Sequence, residues 1–143
     1  MQSNKEGNYN IKGIVDLPQK KGNKILGYKI IASDNEISEL SKEYKSFFIT
    51  IGELESPHNR IKLFEFLKKL NLSLLPIIAS PNTYISKHSK IQEGTIIMYQ
   101  TMVNAGAIIG KNCIINNKAL IEHDAYLGDH CHISIGAIIN GGG

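Results

Sequence analysis

Cysteine is scarce in this chain of 143 residues: only Cys113 and Cys131 are present, too few for a disulfide framework. No run of 18 uninterrupted apolar residues occurs, so no segment is suited to span a bilayer as a helix. The opening MQSNKEGNYN has none of the apolar core that a secretory signal needs, which predicts a cytoplasmic chain. Charge of one sign is not in excess. The net charge is +3, and residues 81–143 balance four basic against four acidic side chains. Without a dense basic patch, nucleic acid is not an expected partner. What is present, 42% apolar and 20% charged residues, is the composition of a folded protein. At this length the chain holds one ordinary domain or two small subdomains, and needs neither metal nor disulfide for stability.

From residue 85 an aliphatic side chain recurs every six positions: Ile85, Ile91, Ile97, Val103, Ile109, Ile115, Ile121, Leu127, Ile133 and Ile139. Four residues after each comes a small one: Ser89, Thr95, Thr101, Ala107, Cys113, Ala119, Ala125, Cys131, Ala137 and Gly143. A period of six fits neither a helix of 3.6 residues per turn nor a simple alternating strand. It fits a solenoid in which each hexapeptide forms one short strand and one corner, the aliphatic residue filling a narrow interior and the small one letting the chain turn. Three hexads close one triangular coil. Cys113 and Cys131, three hexads apart, then stack at equivalent interior positions, where thiol chemistry is not expected.

Residues 1–80 read as alternating strands and helices. IKGIVD is a short strand ending at Asp16, QKKGNK a loop, and GYKII a second strand. Ser33 or Asp34 caps a helix through ISELSKEY. FFITIG reads as a buried parallel strand stopped by Gly52. Ser56-Pro57 starts a second helix with Ile61, Phe64, Leu67 and Leu70 inward, and LSLLPIIA returns as a strand. These features predict two parts: residues 1–80 as a small parallel, incomplete Rossmann-like α/β subdomain, and residues 81–143 as a parallel β-helix.

An α/β unit running into hexapeptide coils resembles the hexapeptide-repeat sugar acetyltransferases that act on sialic acids and on UDP-4-amino-sugars. The likeness spans roughly residues 10–143 and is strongest in VNAGAIIGKNCIINNKALIEHDAYLGDHCHISIGA, residues 103–137. It implies a left-handed β-helix, acetyl-CoA as cosubstrate, a sugar or UDP-sugar acceptor and a homotrimer with active sites between neighbouring β-helices. It also implies roles for the run IEHD and for the histidine nine residues after His123. His123 would be the general base, Asp124 the acidic neighbour that raises its basicity, and His132 a contact to acetyl-CoA. Asn116, Asp16, Gly52 and Glu55 correspond to positions that line the acceptor site.

The chemistry suits those residue types. An amine or hydroxyl attacking a thioester must shed a proton, and a neutral imidazole is well placed to take it. A nearby carboxylate stabilises the charged ring. Adjacent strand residues point to opposite faces, so His123 and Asp124 pair only near a corner or across chains. With no well-placed nucleophile, direct transfer is favoured over a covalent intermediate. His58 and His88 read as solvated surface. His130, Cys131 and His132 invite a metal reading with His123, but their spacing is not that of the zinc-bearing gamma-class carbonic anhydrases, and no metal is expected. A non-catalytic assembly module and, more distantly, a metal-dependent hydratase are the alternative readings. Outward apolar residues such as Met98, Tyr99 and Met102 suit the packing of one coil face on another copy.

Two departures bear on activity. Relatives begin with a strand, a GAGGH-type glycine-rich turn and a helix, whereas ten polar residues precede IKGIVD here. Relatives also continue for several coils past Gly143, and those coils supply much of the acetyl-CoA groove. The resemblance thus implies an internal piece of a protein of roughly 200 residues, and predicts weak acetyl-CoA binding and little activity for the segment alone.

Overall fold

The computed structural model describes residues 9–52, 56–78 and 82–142. The chain divides into two compact units, 1–45 and 46–143, and not near residue 80. The reason lies in the second helix and the strand after it, which pack and pair with the coils.

The first unit carries a mixed sheet of three strands. Strands β1 (Ile14–Val15) and β3 (Tyr28–Ala32) are parallel. Strand β2 (Lys24–Ile25) runs antiparallel to β3, which lies in the middle, through a tight turn at Leu26 and Gly27, both at positive φ. That hairpin makes the sheet mixed where the sequence suggested all-parallel pairing. The glycine and the two-residue loop suit a turn that needs left-handed backbone at both positions. Helix α1 (Ile37–Glu43) follows a single 3-10 turn. Ser33 opens it with a capping box: its backbone N–H donates to Glu36 Oε2 at 3.0 Å, and its hydroxyl lies 3.1 Å from the same oxygen. Those contacts and the Lys21 ammonium, which contributes most, hold the Glu36 carboxyl down at about 2.

In the second unit, α2 (His58–Lys69) begins after Pro57, and Ser56 Oγ accepts the His58 N–H at 3.2 Å. Phe64 and Leu67 are buried as the apolar stripe predicts, but Arg60 is buried with them, at 0% exposure. Its Nη1 donates to the carbonyls of Ile49 (2.9 Å) and Ile51 (3.0 Å), Nη2 to Gly94 (3.1 Å) and Nε to Asn112 (3.4 Å). This explains why FFITIG is not a strand. Its one pairing is at its start, where Ser46 just before it bridges Ser73 and the Phe47 N–H donates to the Ser73 carbonyl at 3.0 Å, and the Ile49 and Ile51 carbonyls that a sheet partner would bind are instead taken by the guanidinium. LSLLPIIA likewise yields only β4 (Ile77–Ile78), which joins the coils.

The coils form three parallel sheets. The first face stacks β4, β7 (Ile96–Ile97), β10 (Ile114–Ile115) and β13 (His132–Ile133). The second stacks β5 (Tyr84–Ile85), β8 (Met102–Val103), β11 (Leu120–Ile121) and β14 (Ile138–Ile139). The third stacks β6 (Lys90–Ile91), β9 (Ile108–Ile109) and β12 (Tyr126–Leu127). Every strand from β5 onward is a single dipeptide and pairs in register with its counterpart one coil away. Ile97, Val103, Ile109, Ile115 and Ile121 are fully buried, and Ala107, Cys113, Ala119 and Ala125 fill the gaps between them. Each such Ile or Val contributes roughly 1.5–3 kcal/mol over the exposed state. The solenoid of hexads that the period predicts is present, as the left-handed parallel β-helix that the resemblance implies.

Cys113 is part of this interior, and burial above all pushes its thiol up to about 11. Cys131 is only partly buried. Ellman's reagent at pH 8 should therefore titrate one thiol in the folded protein and the second only after unfolding. Two fast thiols would contradict the interior placement of Cys113.

Candidate active site

Each corner of the helix is a two-residue turn, and the second residue has positive φ at nine successive corners from Gly94 to Gly142. Asp124 is one of them, at φ 58°. Aspartate tolerates this left-handed conformation better than most residues. The turn breaks the strand alternation that would send neighbouring side chains to opposite faces, and lets His123 and Asp124 face each other. His123 Nδ1 lies 3.1 Å from Asp124 Oδ2. Their side chains are 68% and 73% exposed, so the pair contributes little to stability. Its effect is on orientation. A carboxylate only accepts, so Nδ1 carries the proton and Nε2 keeps its lone pair.

The corner between the second and third faces is polar beyond this pair. Glu122 Oε2 accepts from Asn104 Nδ2 at 2.8 Å and from the His123 backbone N–H at 3.3 Å. Asn104 stands one coil before Glu122, a spacing of 18 that the sequence displays but that gains meaning only once the coil period is applied to polar residues.

Asn116 and His132 form a second group, with Asn116 Nδ2 3.5 Å from His132 Nε2. His132 points outward from β13 on the first face. That face lies opposite the corner bearing His123, so within one chain the two groups are separated. His130 stands elsewhere again, at the corner between the third and first faces. There it meets Phe64 edge-on at 5.6 Å and Asn112 Nδ2 at 2.9 Å. Among the described residues no three His, Cys, Asp or Glu side chains gather as a metal site requires.

Asp16, in the first unit, accepts the Leu17 N–H at 2.7 Å and the Lys20 ammonium at 3.1 Å. These contacts, the backbone one first, hold its carboxyl below the ordinary value. Gly52 is exposed, with open space where a side chain would stand. Glu55 lies outside the described residues.

The β-helix built from hexads is similar to that of the hexapeptide-repeat transferases. Residues 88–123 match the bacterial transferase hexapeptide family (six repeats). More particularly, the fold is similar to acetyltransferases of known structure. One is a variant of perosamine N-acetyltransferase from Caulobacter crescentus in complex with CoA and GDP-perosamine. It is 27% identical with a TM-score of 0.81, over 91% of this chain and 60% of that one. Another is the acetyltransferase domain of PglB from Neisseria gonorrhoeae in complex with acetyl coenzyme A, 26% identical with a TM-score of 0.78, over 90% of this chain and 60% of that one. The chain thus spans about 60% of the length of the structures it matches. No helix among the described residues is long and apolar enough to cross a membrane.

Proposed function

We propose that this chain carries the acceptor-activating part of an acetyl-CoA-dependent acetyltransferase acting on the amine of a nucleotide-linked amino sugar in surface glycan synthesis. The observation that carries the reading is the His123–Asp124 pair, exposed at a corner with the ring fixed by a carboxylate on Nδ1. Likeness to perosamine N-acetyltransferase, solved with CoA and GDP-perosamine, supports an amine over a hydroxyl acceptor. His123 takes the amine proton through Nε2 as nitrogen attacks the thioester carbonyl, and Asp124 stabilises the imidazolium that forms. The tetrahedral intermediate then expels the CoA thiolate, which leaves with a proton. His132 contacts acetyl-CoA and Asn116 the acceptor, and Gly52 and Glu55 contribute to the sugar-nucleotide site. Release of free thiol from acetyl-CoA by the full-length parent, dependent on a GDP- or UDP-linked 4-amino sugar, tests the reaction. Thiol release with hydroxyl sugars only would favour O-acetylation, and none with either would favour the assembly-module reading.

The separation of His123 from His132 within one chain supports a site shared between copies. The second face supports this too: Tyr84, Met102 and Ile138 are exposed in one outward column with Leu120. A second copy seated there removes a run of apolar surface from water. Light scattering at tens of micromolar is expected to give the mass of a trimer. A monomer at that concentration would contradict the arrangement.

A further inference from the structure

The imidazole and the carboxylate of the corner pair each lean along the solenoid axis, in opposite directions. His123 lies over Gly141, one coil later in the same corner column. A Cβ built on Gly141 would stand 2.8 Å from His123 Nε2 and 2.9 Å from Cε1. Asp124 leans back over Gly106, one coil earlier, where a Cβ would press into the carboxylate, 3.0 Å from its Cγ. Real carbon contacts do not come this close, so neither half of the pair can hold its place if its neighbour has a side chain.

The backbone does not ask for glycine at position 141. It is the first residue of its corner turn and its φ lies outside the left-handed region. The repeat offers a direct control, because the same position in other turns holds Lys87, Tyr99, Ala105, Lys111, Asn117, Asp129 and Ile135. Side chains of every size fit the fold there. What sets residue 141 apart is the ring lying on it; the His123 carbonyl oxygen, 3.0 Å from the same Cβ, is the further close atom. Gly106 differs, since its φ of 78° by itself favours glycine.

We propose that Gly141 is a positioning residue for the His123 base: its missing side chain makes the space in which the ring lies with Nδ1 on Asp124. This rests on the reading of His123 as base. A methyl group at 141 moves the ring off its seat, breaks the 3.1 Å contact and frees the imidazole to take the other tautomer. The fold is left intact, since Ala105 already occupies the equivalent position one full turn from His123.

The test is Gly141→Ala, measured three ways. Long-range 1H–15N spectra of the imidazole, assigned by loss of the signal in His123→Gln, report the tautomer without any turnover. The wild type is expected in the Nδ1–H form and the variant in a mixture rich in Nε2–H. Thiol-release kinetics are expected to show kcat reduced about tenfold or more with KM for the sugar changed less than about threefold, the signature of a misplaced group and not of lost binding. In an Asp124→Asn background the same methyl is expected to cost little more, because the seat is already lost. An unchanged tautomer with unchanged kcat would overturn the proposal, as would full additivity with Asp124→Asn. A melting point lowered by more than about 5 °C would make Gly141 a residue of the fold instead. Failure of the base reading is separate: it would appear as retained activity in His123→Ala, with the tautomer shift of Gly141→Ala still present.

Discussion

Replacing His123 by alanine in the full-length parent is expected to lower kcat for acetyl transfer about 100-fold or more, the size of a lost general base. The unfolding midpoint should stay within about 2 °C of wild type. The structure separates these two effects. His123 is exposed and makes no contact with the apolar interior, and the residue one coil before it in the same column is already an alanine, Ala105. Asp124→Asn should fall between wild type and His123→Ala, because it keeps the ring but loses the carboxylate that selects its tautomer. Activity of His123→Ala within threefold of wild type would remove the histidine from the mechanism.

The second large effect is on stability. Arg60→Ala should cost about 3–5 kcal/mol in urea unfolding, because several largely buried carbonyls lose their donor at once and each unsatisfied one costs about 1–3 kcal/mol. That is a substantial share of the stability of an ordinary domain, about 5–15 kcal/mol. The guanidinium reaches backbone carbonyls at Ile49, Ile51, Gly94 and Asn112 at once. It thereby pins an irregular segment and α2 to two successive coils. Arg60→Lys should recover less than half of the loss, since one ammonium cannot serve acceptors spread over a planar fork. Arg60→Ala within about 1 kcal/mol of wild type would show that water or neighbouring groups satisfy those carbonyls equally well.

Arg60 also marks where sequence reading fails. The helix stripe Ile61, Phe64, Leu67 and Leu70 follows from period alone, yet an arginine at 60 reads as solvated surface. Its carbonyl partners lie 9 to 52 residues away in sequence, and no local pattern announces them. The misreading of FFITIG has the same origin, because a run of β-formers extends only if a neighbouring strand is free to receive it, and here a side chain takes the acceptors. The coils are the opposite case. Their contacts are all at a fixed spacing, so interior, corner and face can be read from the hexad columns without coordinates. The pairing of His123 with Asp124 lies between these extremes. Adjacent positions in a strand cannot meet, and only the left-handed backbone at Asp124 decides the matter. That conformation repeats at every corner from Gly94, so the same period that located the strands also predicts it. Gly141 and Gly106 were legible by the same arithmetic, each one coil from its own member of the pair.

The turn structure gives the chain an addressing system. A residue's direction depends on its place within the three-hexad cycle, and its height on how many complete circuits precede it. Length changes therefore act in discrete classes. A whole extra circuit lengthens the rod and leaves each column aligned, while a single extra hexad rotates everything downstream by a third of a revolution. Placed between Ala125 and Ile133, one such hexad would bring Ile135 to rest above the His123 ring in place of Gly141, without changing a single amino acid at the site.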